Sequence, residues 1–269
     1  MLEHFKDNII YAICNQGQKK LGVDQGGSVF ASHYNLNINK TICSKDFSDV
    51  NSIVTNGYRD ISSEIYTAHK NRKSRTLLLG GDHSIGIGSV DGLLKLYGDD
   101  LRILWLDAHA DINDHTTSIT GNLHGMPLGY HYQNTRDKPI WNIENNRIEN
   151  NRIKSNQLYY YGIRDLHPAE IDLIQNNKIG FSSQIDNSLI DFIQNSPYLA
   201  ISFDVDVLDP IFLDSTGTLA ENGATPAEIK TIFNIAQKKD SFVHLDIVEI
   251  NPLLGDWDKS IDTLDLIFL

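Results

Sequence analysis

Apolar residues along this chain gather in short runs, too brief for a helix and too continuous for a strand with one wet face. Runs such as Ile103-Leu104-Trp105-Leu106 and Leu199–Phe203 read as strands buried on both faces. Others fall near Asn8–Ile13, Ile38–Ile42, Thr76–Leu79, Leu158–Tyr161, Ile179–Phe181 and Phe242–Val248. The segments between them mostly carry helical spacing. Gly57–Arg72 places Ile61, Ile65 and Ala68 at steps of four and three, Pro226–Lys238 follows the helix-start pair Thr225-Pro226, and Ser260–Leu269 repeats Ile261, Leu264 and Phe268. This alternation predicts an α/β fold with three layers, α-β-α, around a mostly parallel sheet of about eight strands.

Composition narrows the picture. The 269 residues, 41% of them hydrophobic, supply one large core, and residues 1–269 are expected to form a single domain. The pattern breaks once, at the Asn-rich stretch Trp141–Asn156 with its near-duplicates Glu144-Asn-Asn-Arg-Ile148 and Glu149-Asn-Asn-Arg-Ile153, read as a surface connection rather than a domain linker. Against 23 basic residues stand 35 acidic ones, a formal charge of −12 that argues against a nucleic-acid or anionic-membrane partner. The two cysteines, Cys14 and Cys43, have no C-x-x-C spacing and suit a reducing compartment. No signal peptide or membrane-length apolar run is read, so a cytoplasmic chain is expected.

The candidate chemistry lies where apolar runs end. Leu104–Leu106 passes into Asp107-Ala-His109-Ala-Asp111, and Leu199–Phe203 into Asp204-Val-Asp206. In a parallel sheet ligands bind at the carboxyl ends of the strands, so these acids converge where a site is expected. Carboxylates crowded without a counter-ion repel one another, and a bound divalent cation explains them most simply. Strands about 4.8 Å apart could share a pair of ions roughly 3.5–4 Å from each other. Capping of the following helix by Asp107 and Asp111 is the structural alternative. Gly80-Gly81-Asp82-His83-Ser84 follows another strand and offers His83 as a further ligand, or only a tight turn. Glu249, closing Asp246-Ile-Val-Glu249, could face the same cavity or merely cap or pair locally.

Taken in order, these segments, with Gly121-Asn-Leu-His124-Gly125, Asp209-Pro210 and Asn251-Pro252, resemble the motifs of the arginase (ureohydrolase) family. The likeness covers most of the chain and includes Gly22-Val-Asp-Gln-Gly26, followed by Gly27 where the family usually has proline. It implies an arginase/deacetylase-like fold and two Mn²⁺ ions per chain. One ion would be held by His83, Asp107, Asp111 and Asp204, the other by Asp107, His109, Asp204 and Asp206, with Asp107 and Asp204 bridging. An oxygen-rich donor set without cysteine suits that metal. The implied reaction is hydrolysis of L-arginine to L-ornithine and urea by a hydroxide bridging the ions. Asp111 would position the hydroxide, Glu249 would orient the substrate, and His124 would shuttle protons.

For the small-molecule guanidino substrate, the resemblance places Asn113, Ser118, Thr120 and Asn122 around the α-carboxylate of arginine, with Thr218 and Glu249 near the guanidinium. His167 and Glu170 stand where the family has acids for the α-amino group. A neutral histidine is a weaker anchor than a carboxylate, so a guanidino compound without an α-amino group competes with arginine as the expected substrate. Guanidinobutyrate, agmatine and formimidoylglutamate are the alternatives within the family, and a catalytically silent metal-binding member is the alternative outside enzymology. A single-zinc deacetylase site would not call for this double set of acids. The loop Leu219-Ala-Glu-Asn-Gly223 lacks the family's double glycine. A homo-oligomer, trimer or hexamer, is expected by resemblance, although the chain ends at Leu269 without the tail that joins subunits in trimeric arginases.

Overall fold

A strand that is apolar at every position needs cover on both sides. In β1 (Ile9–Ile13), Ile9 and Tyr11 join one buried cluster while Ile10 and Ala12 join another. The computed structural model, which describes residues 1–43, 57–72, 75–132 and 152–269, shows how that cover is supplied. Seven further strands follow: β2 (Lys40–Cys43), β3 (Thr76–Leu79), β4 (Leu101–Leu106), β5 (Leu158–Tyr161), β6 (Gly180–Ser182), β7 (Tyr198–Asp204) and β8 (Phe242–Val248). They form one sheet in the order β2-β1-β3-β8-β7-β4-β5-β6, with all pairings parallel.

The helices are α1 (Gly26–His33), α2 (Tyr58–Arg72), α3 (Gly86–Tyr97), α4 (Pro127–His131), α5 (Pro168–Asn176), α6 (Asn187–Asn195), α7 (Pro226–Ala236) and α8 (Trp257–Phe268). Residues of α1, α6, α7 and α8 pack with Ile9, Leu77, Leu79 and Phe203 on one face of the sheet. Residues of α2, α3, α4 and α5 pack with Ile10, Leu78, Trp105 and Ala200 on the other. This is the expected three-layer α-β-α arrangement. Pro226 opens α7 inside a capping box, in which the Thr225 side chain accepts from Glu228 N and the Glu228 carboxylate accepts from Thr225 N. The helix α3 carries Gly86, Gly88 and Gly92, yet stays helical because a Cβ at Gly88 or Gly92 would press into Tyr58, Ile61, Ser62 or Ile65 of α2. Small residues let the two helices touch.

The winding fixes where a site can form. The first three strands grow outward from β3 and the next three outward from β4, while β7 and β8 return to fill the gap between those two halves. The crevice of such a sheet opens at the carboxyl ends of its central strands β3, β8, β7 and β4. The Asn-rich residues 141–151 lie outside the described residues; just beyond them Ile153 is fully buried and bridges to Tyr132. Among the described residues no helix is long and apolar enough to cross a membrane.

Near that crevice the loop after β3 crosses the loop after β1, and Asp82 N–H donates to the Cys14 carbonyl at 3.1 Å. A Cβ on Gly81 would overlap that same oxygen. Gly81→Ala is therefore expected to destabilise the fold by roughly 1–3 kcal/mol, the usual cost of forcing atoms into a packed site. A denaturant midpoint equal to that of the parent chain would contradict this crossing.

Candidate active site

Each acidic or imidazole ligand candidate leaves the end of one of those four strands. His83 follows β3, Asp107, His109 and Asp111 follow β4, Asp204 ends β7 with Asp206 just beyond, and Glu249 follows β8. All are buried except His109, whose side chain is 22% exposed. The His83 ring presents Nδ1 to three carboxylates, at 3.0 Å from Asp107, 3.1 Å from Asp111 and 3.1 Å from Asp204. His109 Nδ1 lies 3.1 Å from Asp206 and 3.3 Å from Asp107. Two groups of donor atoms, His83 with Asp107 and Asp111, and Asp107 with His109 and Asp206, are each close enough to hold one cation, and they share Asp107. Asp204 falls outside both groups, with its Oδ2 3.1 Å from His83 Nδ1.

Electrostatics shows what the cluster lacks. Burial opposes charge on both imidazoles, yet the surrounding carboxylates hold His83 and His109 well above the ordinary histidine value. Burial, reinforced by the Asp107 charge, lifts Asp111 to about 7. Burial and neighbouring acids likewise raise Asp204 and Asp206. Asp107 goes the other way: burial is outweighed by hydrogen bonds from His109 and His83, which hold it below the usual carboxylate range. No lysine or arginine makes a salt bridge to these acids among the described residues. Divalent cations would fit both these donors and their crowded negative charge.

Packing and backbone hold the geometry. The His83 ring lies flat on Trp105, with centroids 4.1 Å apart and planes at 3°. Trp105 Nε1–H donates to Asp107 at 2.9 Å. Asp107 also accepts from His109 N at 2.7 Å, Asp206 from Ala108 N at 3.1 Å, and Asp204 from Asp206 N at 2.9 Å. Asp111 and Glu249 both adopt left-handed backbone, with φ of 51° and 62°. Non-glycine residues hold that conformation at a cost of about 1–2 kcal/mol, and such outliers gather at functional sites.

Glu249 joins the cluster to His124. Its Oε1 accepts from His83 N at 2.9 Å and faces His124 Nδ1 at 3.1 Å, while Gln18 Nε2 donates to Oε2 at 3.3 Å. Burial lowers the His124 pKa, but the hydrogen bond and charge of Glu249 prevail and bring it to about 9. Asp82, fully buried, accepts from Ser84 N at 3.0 Å and Gly17 N at 2.9 Å, and the Gly17 carbonyl accepts from His124 N at 3.2 Å. Arg164 donates to the carbonyls of Gly162, Asp206, Val207 and Ala220, stapling the loops behind the second acid pair. The sequence assigned no role to Gln18, Asp82, Trp105 or Arg164. Their signal is only a polar or aromatic residue beside a recognised motif.

The residues expected around a substrate are less concentrated. Ser118 Oγ accepts from Gly121 N at 3.1 Å and Thr120 Oγ1 from Asn122 N at 3.2 Å, so these side chains shape the loop before His124. Asn113 lines a small cavity with Tyr132, Glu170 and Leu173, and its Oδ1 is buried without a hydrogen-bond partner. His167 is the N-cap of α5: its Nδ1 accepts from Ala169 N at 3.3 Å, and the Glu170 carboxylate accepts from His167 N at 2.9 Å. Both therefore serve the helix start. Thr218 follows Gly217, where a Cβ would lie 3.6 Å from Glu249 Oε2.

The model of the Arginase family matches residues 9–264. The chain is 35% identical over 212 residues to an arginase of Emericella nidulans, an alignment covering 72% of this chain and 64% of that one. It spans about two thirds or less of the length of such curated relatives. Among solved structures, the arginase of Bacillus subtilis superposes with a TM-score of 0.79 at 26% identity, covering 97% of this chain and 96% of that one. An Entamoeba histolytica arginase in complex with L-ornithine gives 0.81 at 24% identity, with 98% and 99% covered, a likeness of fold.

A cation entering the cluster must displace protons, including the one that Asp111 holds up to about pH 7. Affinity for a divalent cation is expected to fall as pH drops below 7, about tenfold per unit for each proton displaced. Titration calorimetry in buffers of differing ionisation enthalpy checks this; binding that releases no protons between pH 6 and 7 would contradict it.

Proposed function

The chain belongs to the arginase family, and on that premise we propose that it is a metal-dependent hydrolase cleaving L-arginine to L-ornithine and urea. The observation that carries this reading is the pair of interlocked donor groups sharing Asp107. Oxygen-rich ligation with two imidazoles and no thiolate suits two Mn²⁺ ions, one held by His83, Asp107, Asp111 and Asp204, the other by Asp107, His109, Asp204 and Asp206. When bound, such ions supply positive charge and lower the pKa of water enough to provide a nucleophile near neutral pH.

The chain's own residues do the rest. Asp111, on left-handed backbone with Oδ2 3.1 Å from His83 Nδ1, orients the attacking water. Glu249, a carboxylate at the cluster's edge, faces the guanidinium as a charged hydrogen-bond partner. Water oxygen bonds to the guanidinium carbon, the bond from that carbon to the ornithine nitrogen breaks, and a proton reaches the departing amine. His124, held to about 9 by Glu249, carries that proton at neutral pH and is recharged by the proton the water loses. Asn113, Ser118, Thr120 and Asn122 supply donors for the substrate carboxylate, with Thr218 beside the guanidinium.

A second substrate has one specific observation in its favour. One polar atom of each residue expected at an α-ammonium, His167 Nδ1 and Glu170 Oε2, is engaged in capping α5. That favours a guanidino acid without the amino group, such as 4-guanidinobutyrate. Urea release by the Mn²⁺-loaded protein from L-arginine, agmatine and 4-guanidinobutyrate decides the order: the highest kcat/KM for arginine supports the first reading, and a higher value for 4-guanidinobutyrate the second. Asp204→Asn, at a proposed bridge, is expected to lose turnover and ion retention by more than about 100-fold, beyond the scale reached by losing a ligand's hydrogen-bond partner. Full activity of that variant without metal would refute the scheme.

A further inference from the structure

Behind His83, on the side away from the carboxylates, runs a buried polar chain that no substrate can reach. His83 Nε2 lies 2.9 Å from Ser202 Oγ, and Ser202 Oγ lies 3.0 Å from Asp246 Oδ2. Ser89 Oγ donates to the same oxygen at 2.9 Å, and His244 Nε2 meets Asp246 Oδ1 at 2.6 Å. Ser89, Ser202, His244 and Asp246 are at most 2% exposed. The sheet register builds the row: Ser202 of β7 pairs with Asp246 of β8 on one side and with Trp105 of β4 on the other. His244, two residues before Asp246, points to the same face of the sheet.

The chemistry of the donors sets the direction of this chain. An ionised carboxylate only accepts, so Asp246 draws the hydroxyl protons of Ser89 and Ser202 and the ring N–H of His244. With its proton committed, Ser202 Oγ can only accept from His83, which places the imidazole proton on Nε2. In the neutral ring that binds a cation, the lone pair is then on Nδ1, the atom that faces Asp107, Asp111 and Asp204. We propose that Asp246, acting through Ser202 and held by Ser89 and His244, is a positioning residue that fixes the His83 tautomer and ring orientation for cation binding. This rests on the metal-dependent reading above. If residue 246 became an amide, it could donate to Ser202 instead. Ser202 would then turn its proton toward Nε2 and leave the other ring proton where the cation belongs.

Equilibrium dialysis of the full chain against graded free Mn²⁺ tests the assignment. The parent chain is expected to bind two ions. In Asp246→Asn and in Ser202→Ala the affinity for one ion should fall by about 10–100-fold, while the other changes by less than about threefold. The double variant should be no worse than the weaker single one, because both act through one chain of bonds. Ser202→Ala removes a single oxygen and keeps the test open if Asp246→Asn fails to fold. Two ions bound with parental affinities by either folded variant would overturn this inference alone, and so would equal weakening of both ions. A parent chain that takes up no ion would overturn the metal-dependent reading and this inference with it.

Discussion

The constraint on which the rest of this structure turns is negative charge buried at the ends of adjacent strands. Asp107, Asp111, Asp204 and Asp206 sit within a few ångströms of one another and of two imidazoles, nearly out of reach of water. Isolated carboxylates in such surroundings are expensive, and they survive only when paired, protonated or bound to a metal. Every neighbouring feature serves that requirement. Backbone amides point at the acids, the Trp105 indole donates to Asp107, and two residues accept left-handed backbone to aim their side chains inward.

The topology explains why the acids can meet at all. Because β7 and β8 are inserted between β3 and β4, residues as distant in sequence as His83 and Glu249 end side by side. Parallel pairing brings all four carboxyl ends to one edge, and helices on both faces bury the strands, so the loops are free to carry chemistry. The loops are themselves stapled: Asp82 holds Gly17 of the segment after β1, whose carbonyl accepts from His124 N, and Arg164 ties the segments after β5 and β7 together. A centre built from several loops keeps its geometry only when those loops are cross-braced.

Much of this was legible in the sequence, and the rest was not for physical reasons. The strands Thr76–Leu79, Leu158–Tyr161 and Phe242–Val248 have the bounds read from their apolar runs, and β6 starts one residue later than read. The helix α2 starts at Tyr58, one residue after the read start, and α8 begins at Trp257, three residues before its read start at Ser260. The acids after β4 and β7 stood out because polar groups that end buried strands need a reason. Ser202 and Asp246 stood inside the motifs without a role of their own and His244 gave no signal, since their meaning lies in cross-strand neighbours fixed by the register. His167 and Glu170, expected by resemblance at an amine anchor, form the capping box of α5, which was not read from the sequence. A short-range hydrogen bond available at every helix start competes with any role that needs a distant ligand.

The central claim is that the carboxylate cluster is built around two divalent cations sharing Asp107. Crystals of the Mn²⁺-loaded chain, with anomalous diffraction recorded at the manganese edge, address it most directly. The account predicts two peaks, one beside His83 Nδ1 and one beside His109 Nδ1, both within bonding distance of Asp107. A single peak, or none at the ends of β3, β4 and β7, would contradict it.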